Sequence, residues 1–160
     1  MLAVLIILVI LFFDYKNRAV APTIGADGKI SGNYSIASIM KLGKPYKCAF
    51  EKNDGTSQIA GTVLTDGSKI SGKFAIKTDL AKNGFNDFLI IKNGKAYIWT
   101  SLQNLGYEHP AAKSAGADAS PQDQAQIVGT EDLIQYDCAP WTIDNSVFET
   151  PSSIQFSEVK

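Results

Sequence analysis

Two cysteines, one histidine and a scatter of acids carry most of the chemistry open to this chain of 160 residues. Cys48 and Cys138 read as a disulfide pair, because they follow an apolar leader and oxidising compartments preserve such bonds. The bond would close a loop of about ninety residues, for which the chain-entropy model gives an upper value of about 4 to 5 kcal/mol. Two buried free thiols are the alternative. Two cysteines and the single His109 lack the clustered spacing of a metal centre, so no metal is expected.

A Ser-His-Asp or Cys-His arrangement would have to be built around His109, which sits beside Pro110 at the edge of a low-complexity stretch. No nucleophile, base and orienting group assemble from the motifs present, and no catalytic residue or cofactor is expected. Asp137 and Asp144 flank Trp141 as paired acids or calcium ligands, although Asp more commonly bonds its own backbone in turns and caps. Asp118 and Asp123 lack the dense oxygen spacing of a calcium loop. Gly25, Gly28, Gly32 and Gly43 make no phosphate-cradling motif.

The large apolar residues offer a second kind of site. Trp99 and Trp141 either line an apolar pocket or fill the core, since each buries on the order of 150–250 Å². Phe74, Ile76 and Phe88 are expected beside them on one inner face, covered by Met40.

The chain opens on an unbroken apolar run, residues 1–13. As a helix the run is only ~20 Å long, against a hydrocarbon core of roughly 30 Å. That length matches the apolar region of a signal peptide, but no basic segment precedes it, so the natural start is expected a few residues upstream. Ala19-Val20-Ala21 offers a cleavage pattern. Pro22 directly after it and the charged stretch 14–18 before it favour a retained anchor over a cleaved peptide. Net charge is −1, from 15 basic and 16 acidic side chains. Without clustered Lys and Arg, a nucleic-acid groove is not expected.

Past the anchor (1–18), a tether rich in Gly, Asp, Ser and Thr (19–33) precedes one β-rich domain (34–160). Ser35 caps a short helix whose apolar stripe is Ile36, Ile39, Met40 and Leu42, and Gly43 and Pro45 end it. The period then changes to two. Strands are expected at 46–51, 58–64, 69–77, 88–91 and 96–99, joined by turns at Asn53-Asp54-Gly55, Asp66-Gly67 and Asn93-Gly94 and by a looser loop at 78–86. The stretch 108–130 is polar and small, with a weak helix at 121–128. The tail reads as coil pinned by Trp141, Phe148, Pro151 and Ile154, with a last strand at 153–158. Asp27-Gly28-Lys29-Ile30-Ser31-Gly32 and Asp66-Gly67-Ser68-Lys69-Ile70-Ser71-Gly72 look alike, which is read as recurrent turn chemistry.

Tyr46-Lys47-Cys48-Ala49-Phe50 after a Leu-Gly-Lys-Pro helix end, a meander ending Tyr97-Ile98-Trp99, and Tyr136-Asp137-Cys138-Ala139-Pro140-Trp141 with Asp144, Phe148, Pro151 and Phe156 together carry a resemblance. From Ser35 onward the chain resembles membrane-anchored exported proteins of candidate-phyla-radiation bacteria, a group with no activity attached. Their architecture looks like the periplasmic lipoprotein-carrier superfamily. The resemblance implies a mainly β (α+β) fold: a curved antiparallel meander forming an incomplete barrel, with a short covering helix and an N-terminal hydrophobic helix. It also implies a concave face that holds acyl chains, an analogy from fold. The expected function is a non-enzymatic extracytoplasmic domain held in the cytoplasmic membrane, binding a lipid or other apolar ligand or a partner protein. A pilin-like surface subunit is the alternative, although the leader lacks the early glutamate that pilins use in assembly.

Overall fold

The computed structural model describes residues 21–53, 55–79, 83–111 and 133–158. Alternating patterns and tight turns build a mainly β structure of nine strands: β1 (Ile30–Tyr34), β2 (Tyr46–Asn53), β3 (Ser57–Thr65), β4 (Ile70–Thr78), β5 (Phe85–Lys92), β6 (Lys95–Thr100), β7 (Leu105–Pro110), β8 (Ile134–Pro140) and β9 (Gln155–Glu158). They form one sheet in the order β1-β8-β2-β3-β4-β5-β6-β7-β9. The expected meander is β2 to β6, and β7 extends it by one antiparallel strand. Among the described residues β1 and β9 are paired on one side only, so the sheet is open and not closed into a barrel.

Local chemistry accounts for the joints. Asn93 (φ 53°) and Gly94 (φ 72°) link the paired Lys92 and Lys95 in a two-residue hairpin, which requires positive φ at both positions. The helix α1 (Ile36–Met40) starts where the Ser35 hydroxyl accepts from the Ser38 N–H at 3.1 Å. It ends as Leu42 and Gly43 donate back to Ile39 and Met40.

Three strands depart from the sequence reading. Ile30–Tyr34 pairs with β8, so the sheet begins inside the stretch read as a tether. The two similar segments explain why: Asp27 and Asp66 each accept a backbone N–H from the following lysine, and each turn feeds a buried isoleucine, Ile30 or Ile70, into a strand. The segment 134–140, read as coil, is a strand because it has two partners, β1 on one side and β2 on the other. β7 takes up 105–107, which carried no assignment, and the first three residues of the polar stretch 108–130. The all-antiparallel expectation is also corrected, since β9 runs parallel to β7. The chain leaves β8 at the end of the sheet where β7 finishes, and residues 141–154 return it to the opposite end; parallel strands need such a crossover. The anchor and N-terminal hydrophobic helix (1–18) and the helix at 121–128 lie outside the described residues.

One face of the sheet is the core. Tyr46, Cys48 and Phe50 of β2 pack with Val63, Ile70, Phe74, Leu89, Tyr136 and Cys138, and α1 adds Ile36 and Ile39. Phe50 lies 6.0 Å from Phe74 and meets Tyr136 edge-on at 5.4 Å, ring centre to ring centre. Cys48 and Cys138 face each other directly across β2 and β8 and form the disulfide, with Cα atoms 3.9 Å apart. Both are buried, so the bond joins two core strands from distant parts of the chain.

Candidate functional site

The opposite face of the same strands is built from small side chains. Strand alternation turns Ala49 and Glu51 of β2, Ala60 and Thr62 of β3, and Lys73 and Ala75 of β4 away from the core. Ala49 lies opposite Thr62, and Ala60 opposite Ala75, so the alanines and Thr62 form one low floor. Gln135 and Asp137 of β8 border it on the far side from Lys73. The result is a solvent-open trough of about 640 Å³. Asp137 accepts a hydrogen bond from the Ser31 hydroxyl at 2.5 Å, which fixes that carboxylate at the β8 rim.

The row that crosses the trough continues into aromatic rings. Asp137, Ala49, Thr62, Lys73, Phe88, Trp99, Gly106 and Phe156 are successive cross-strand partners from β8 to β9. Phe88 and Trp99 stack with centres 5.1 Å apart and planes 10° from parallel. Phe156 meets both Trp99 and Tyr97 edge-on. It reaches them because Gly106 has no side chain: a Cβ there would lie 2.6 Å from the Phe156 ring.

Beside these rings the C-terminal segment covers part of the sheet. A 3-10 turn (Asn145–Phe148) rests against β4 and β5, and its Phe148 is buried under the Lys69 ammonium, 4.9 Å from the ring centre. Ile90 faces this side of β5 and is only 2% exposed. Lys92 pairs with Glu149 at 3.2 Å. Among the described residues the trough is a part of this face that the tail leaves open.

The six large apolar residues expected on one inner face are divided into three groups. Phe74 is buried in the core, with Met40 and Ile76 packed against it. Phe88 and Trp99 stand on the other face, because Phe88 is paired with Lys73, one residue out of phase with Phe74. Trp141 lies past the end of β8, where its indole N–H donates to the Thr65 carbonyl at 3.0 Å and its ring tilts against Phe148. The core face is filled by side chains at the level of β2 to β4, where Phe50, Val63 and Phe74 are each 4% exposed. Towards β7 the same face carries the exposed Leu105 and Tyr107.

The chemical candidates disperse as well. His109 lies in β7 opposite Ala96. Asp144 caps the 3-10 turn by accepting from the Ser146 N–H at 2.9 Å, and hydrogen bonds from the Ser146 hydroxyl and then its N–H hold the carboxyl below the ordinary value. Burial pushes the Asp87 carboxyl up against the lowering effect of a Thr100 hydrogen bond, but its cross-strand neighbours are Phe74 and Thr100 rather than a base. Among the described residues no three of His, Cys, Asp and Glu gather to hold a metal. Asp118 and Asp123 lie outside the described residues.

Sequence reasoning missed the trough itself. Its signal is the alanine set between large residues in Cys48-Ala49-Phe50, Ile59-Ala60-Gly61 and Phe74-Ala75-Ile76, which becomes a surface only once the register aligns the three strands. The chain matches no protein family, no curated protein and no solved structure.

Proposed function

We propose that this chain is a non-enzymatic binding domain that works outside the cytoplasm on a membrane tether and presents the trough to an elongated ligand or partner segment. One observation carries the reading: the strands that pack the core with Phe50 and Phe74 expose on their other side an open floor of alanines with a polar rim. A small-residue floor lets a ligand or partner segment approach the sheet closely. The Cys48–Cys138 bond supports an oxidising compartment. The filled core at β2 to β4 favours a ligand held on the outer trough over an acyl chain enclosed in an incomplete barrel.

Fractionation of cells making the full chain, with maleimide labelling before and after reduction, tests the location. The protein is expected in the membrane pellet, with its thiols labelled only after reduction. Recovery from the cytosol with both thiols free overturns the proposal. Native mass spectrometry of the detergent-purified chain tests the site: a co-purifying ligand is expected to be lost in Ala60→Arg, and a ligand retained in that variant removes the trough from the reading.

A further inference from the structure

We infer that the trough is one half of a self-complementary two-fold interface, so the partner it takes is a second copy of this chain. The inference rests on the binding role of the trough proposed above and names its partner.

The rim charges Lys73, Glu51 and Asp137 are exposed, and among the described residues no ion pair involves any of them. Their placement is ordered. In the row Asp137, Ala49, Thr62, Lys73 the acid stands on β8 and the ammonium on β4, equally far from the line between β2 and β3. Three strand spacings, roughly 14 Å, keep the two from meeting within one copy. The Ser31 hydroxyl holds one oxygen of Asp137 and leaves the other free to accept from outside.

A two-fold axis along that line, parallel to the strands and just above the floor, lays one trough face-down on another and exchanges the two ends of each row. Lys73 of each copy then meets Asp137 of the other. In the next row, Glu51, Ala60 and Ala75, the same rotation sets Glu51 over Ala60 of the second copy. Gln135, the next outward residue of β8, comes over Ala75 in the same way, and Ala49 meets Thr62. Each long side chain therefore lands on a small one or on its opposite charge. A two-fold axis across the strands, along the charged row, would put Lys73 on Lys73 and Asp137 on Asp137, which like-charge repulsion disfavours. One orientation is selected.

Face-to-face packing with nearly aligned strands is an ordinary arrangement for two sheets. Four strands make a small contact, at the weak end of specific interfaces. Tethering both copies to one membrane, as proposed above, raises their effective concentration and suits a weak contact.

Sedimentation velocity of the full chain in detergent, over a range of protein concentrations, tests the proposal. A monomer–dimer equilibrium is expected, and Lys73→Asp and Asp137→Lys should each weaken it about tenfold or more by setting like charges against one another. Mixed together, the two variants should dimerise as the parent does, because each contact again pairs an acid with an ammonium. A zero-length carbodiimide link between Lys73 and Asp137, mapped by mass spectrometry, needs no variant and should appear only in the parent dimer. A dimer that neither substitution weakens, or one without that link, belongs to another surface and overturns the inference. Variants that are folded by circular dichroism yet fail to rescue one another overturn it as well. So does a parent that stays monomeric, and the ligand then separates the readings: a co-purifying small molecule lost in Ala60→Arg keeps the binding role of the trough, and no such molecule removes both.

Discussion

The two faces of β2, β3 and β4 use the same backbone for opposite purposes. Inward, Phe50, Val63 and Phe74 are almost wholly buried; outward, one residue away in each case, Ala49, Thr62 and Ala75 leave the sheet bare. Because the side-chain period is two, a single residue of phase separates the stabilising set from the candidate binding set. Substitutions at adjacent positions should therefore act on different properties, stability on one side and binding on the other.

The sharpest form of that contrast is the pair Phe74 and Ala75. Truncating Phe74 to Ala should destabilise the domain by about 3–5 kcal/mol, through lost burial and the cavity left against Phe50. Ala75→Ser should stay within about 0.5 kcal/mol of the parent. Urea unfolding followed by circular dichroism measures both, and comparable losses would erase the distinction between the faces.

Next in size is the bond that closes the core. Replacing Cys48 and Cys138 together by Ala should remove about 2–5 kcal/mol, because the bridge spans 90 residues of chain and lies between buried strands. Ligand binding at the trough should survive wherever the variant remains folded, since both sulfurs belong to the other face. Unfolding curves with and without reductant check the first part, and a double variant as stable as the parent would remove the disulfide from the account.

Gly61 probes the boundary between the faces from inside. A Cβ there would sit 2.3 Å from the Phe50 ring, so Gly61→Ala should destabilise by about 1–3 kcal/mol through overpacking. Adding Phe50→Leu to Gly61→Ala should recover part of that loss, giving a coupling between the two positions in a double-mutant cycle. Strict additivity would mean that the ring does not press on the strand at this point.

Legibility in the sequence follows the same division. The meander was readable because each of its turns is local and chemically marked, as at Asn93-Gly94 and Asp66-Gly67. β8 was not, although Ile134, Tyr136 and Cys138 alternate cleanly, because its partners β2 and β1 lie about 90 and more than 100 residues away in sequence and only long-range pairing makes it a central strand. β1 carried a usable signal that turn chemistry concealed: the same Asp-Gly entry that opens β4 opens it. The cysteine pairing was legible from the even count together with the apolar leader. The trough was not, since an exposed alanine has no signature until cross-strand register places three of them side by side.

The smallest effect sits where the faces meet, in the turn between β3 and β4. Burial alone would raise the Asp66 carboxyl, but N–H groups of Lys69 and Ser68, the Ser68 hydroxyl and the Lys69 ammonium overcome it and hold the carboxyl at about 2, below its ordinary 3.8. A carboxylate depressed on folding contributes stability above its unfolded value and loses it as pH falls toward the folded one. The contribution, about 1–2 kcal/mol after allowance for solvent screening, should be complete above about pH 5 and fade between pH 4 and 2. Unfolding of the parent and Asp66→Asn across that range should show a gap at pH 7 that closes near pH 2. The turn also carries Lys69, which lies over Phe148, so losing the carboxylate should loosen the C-terminal cover on the outer face as well as the β3–β4 joint. Hydrogen exchange at 145–149 that is unchanged in Asp66→Asn would confine the turn's influence to its own hairpin.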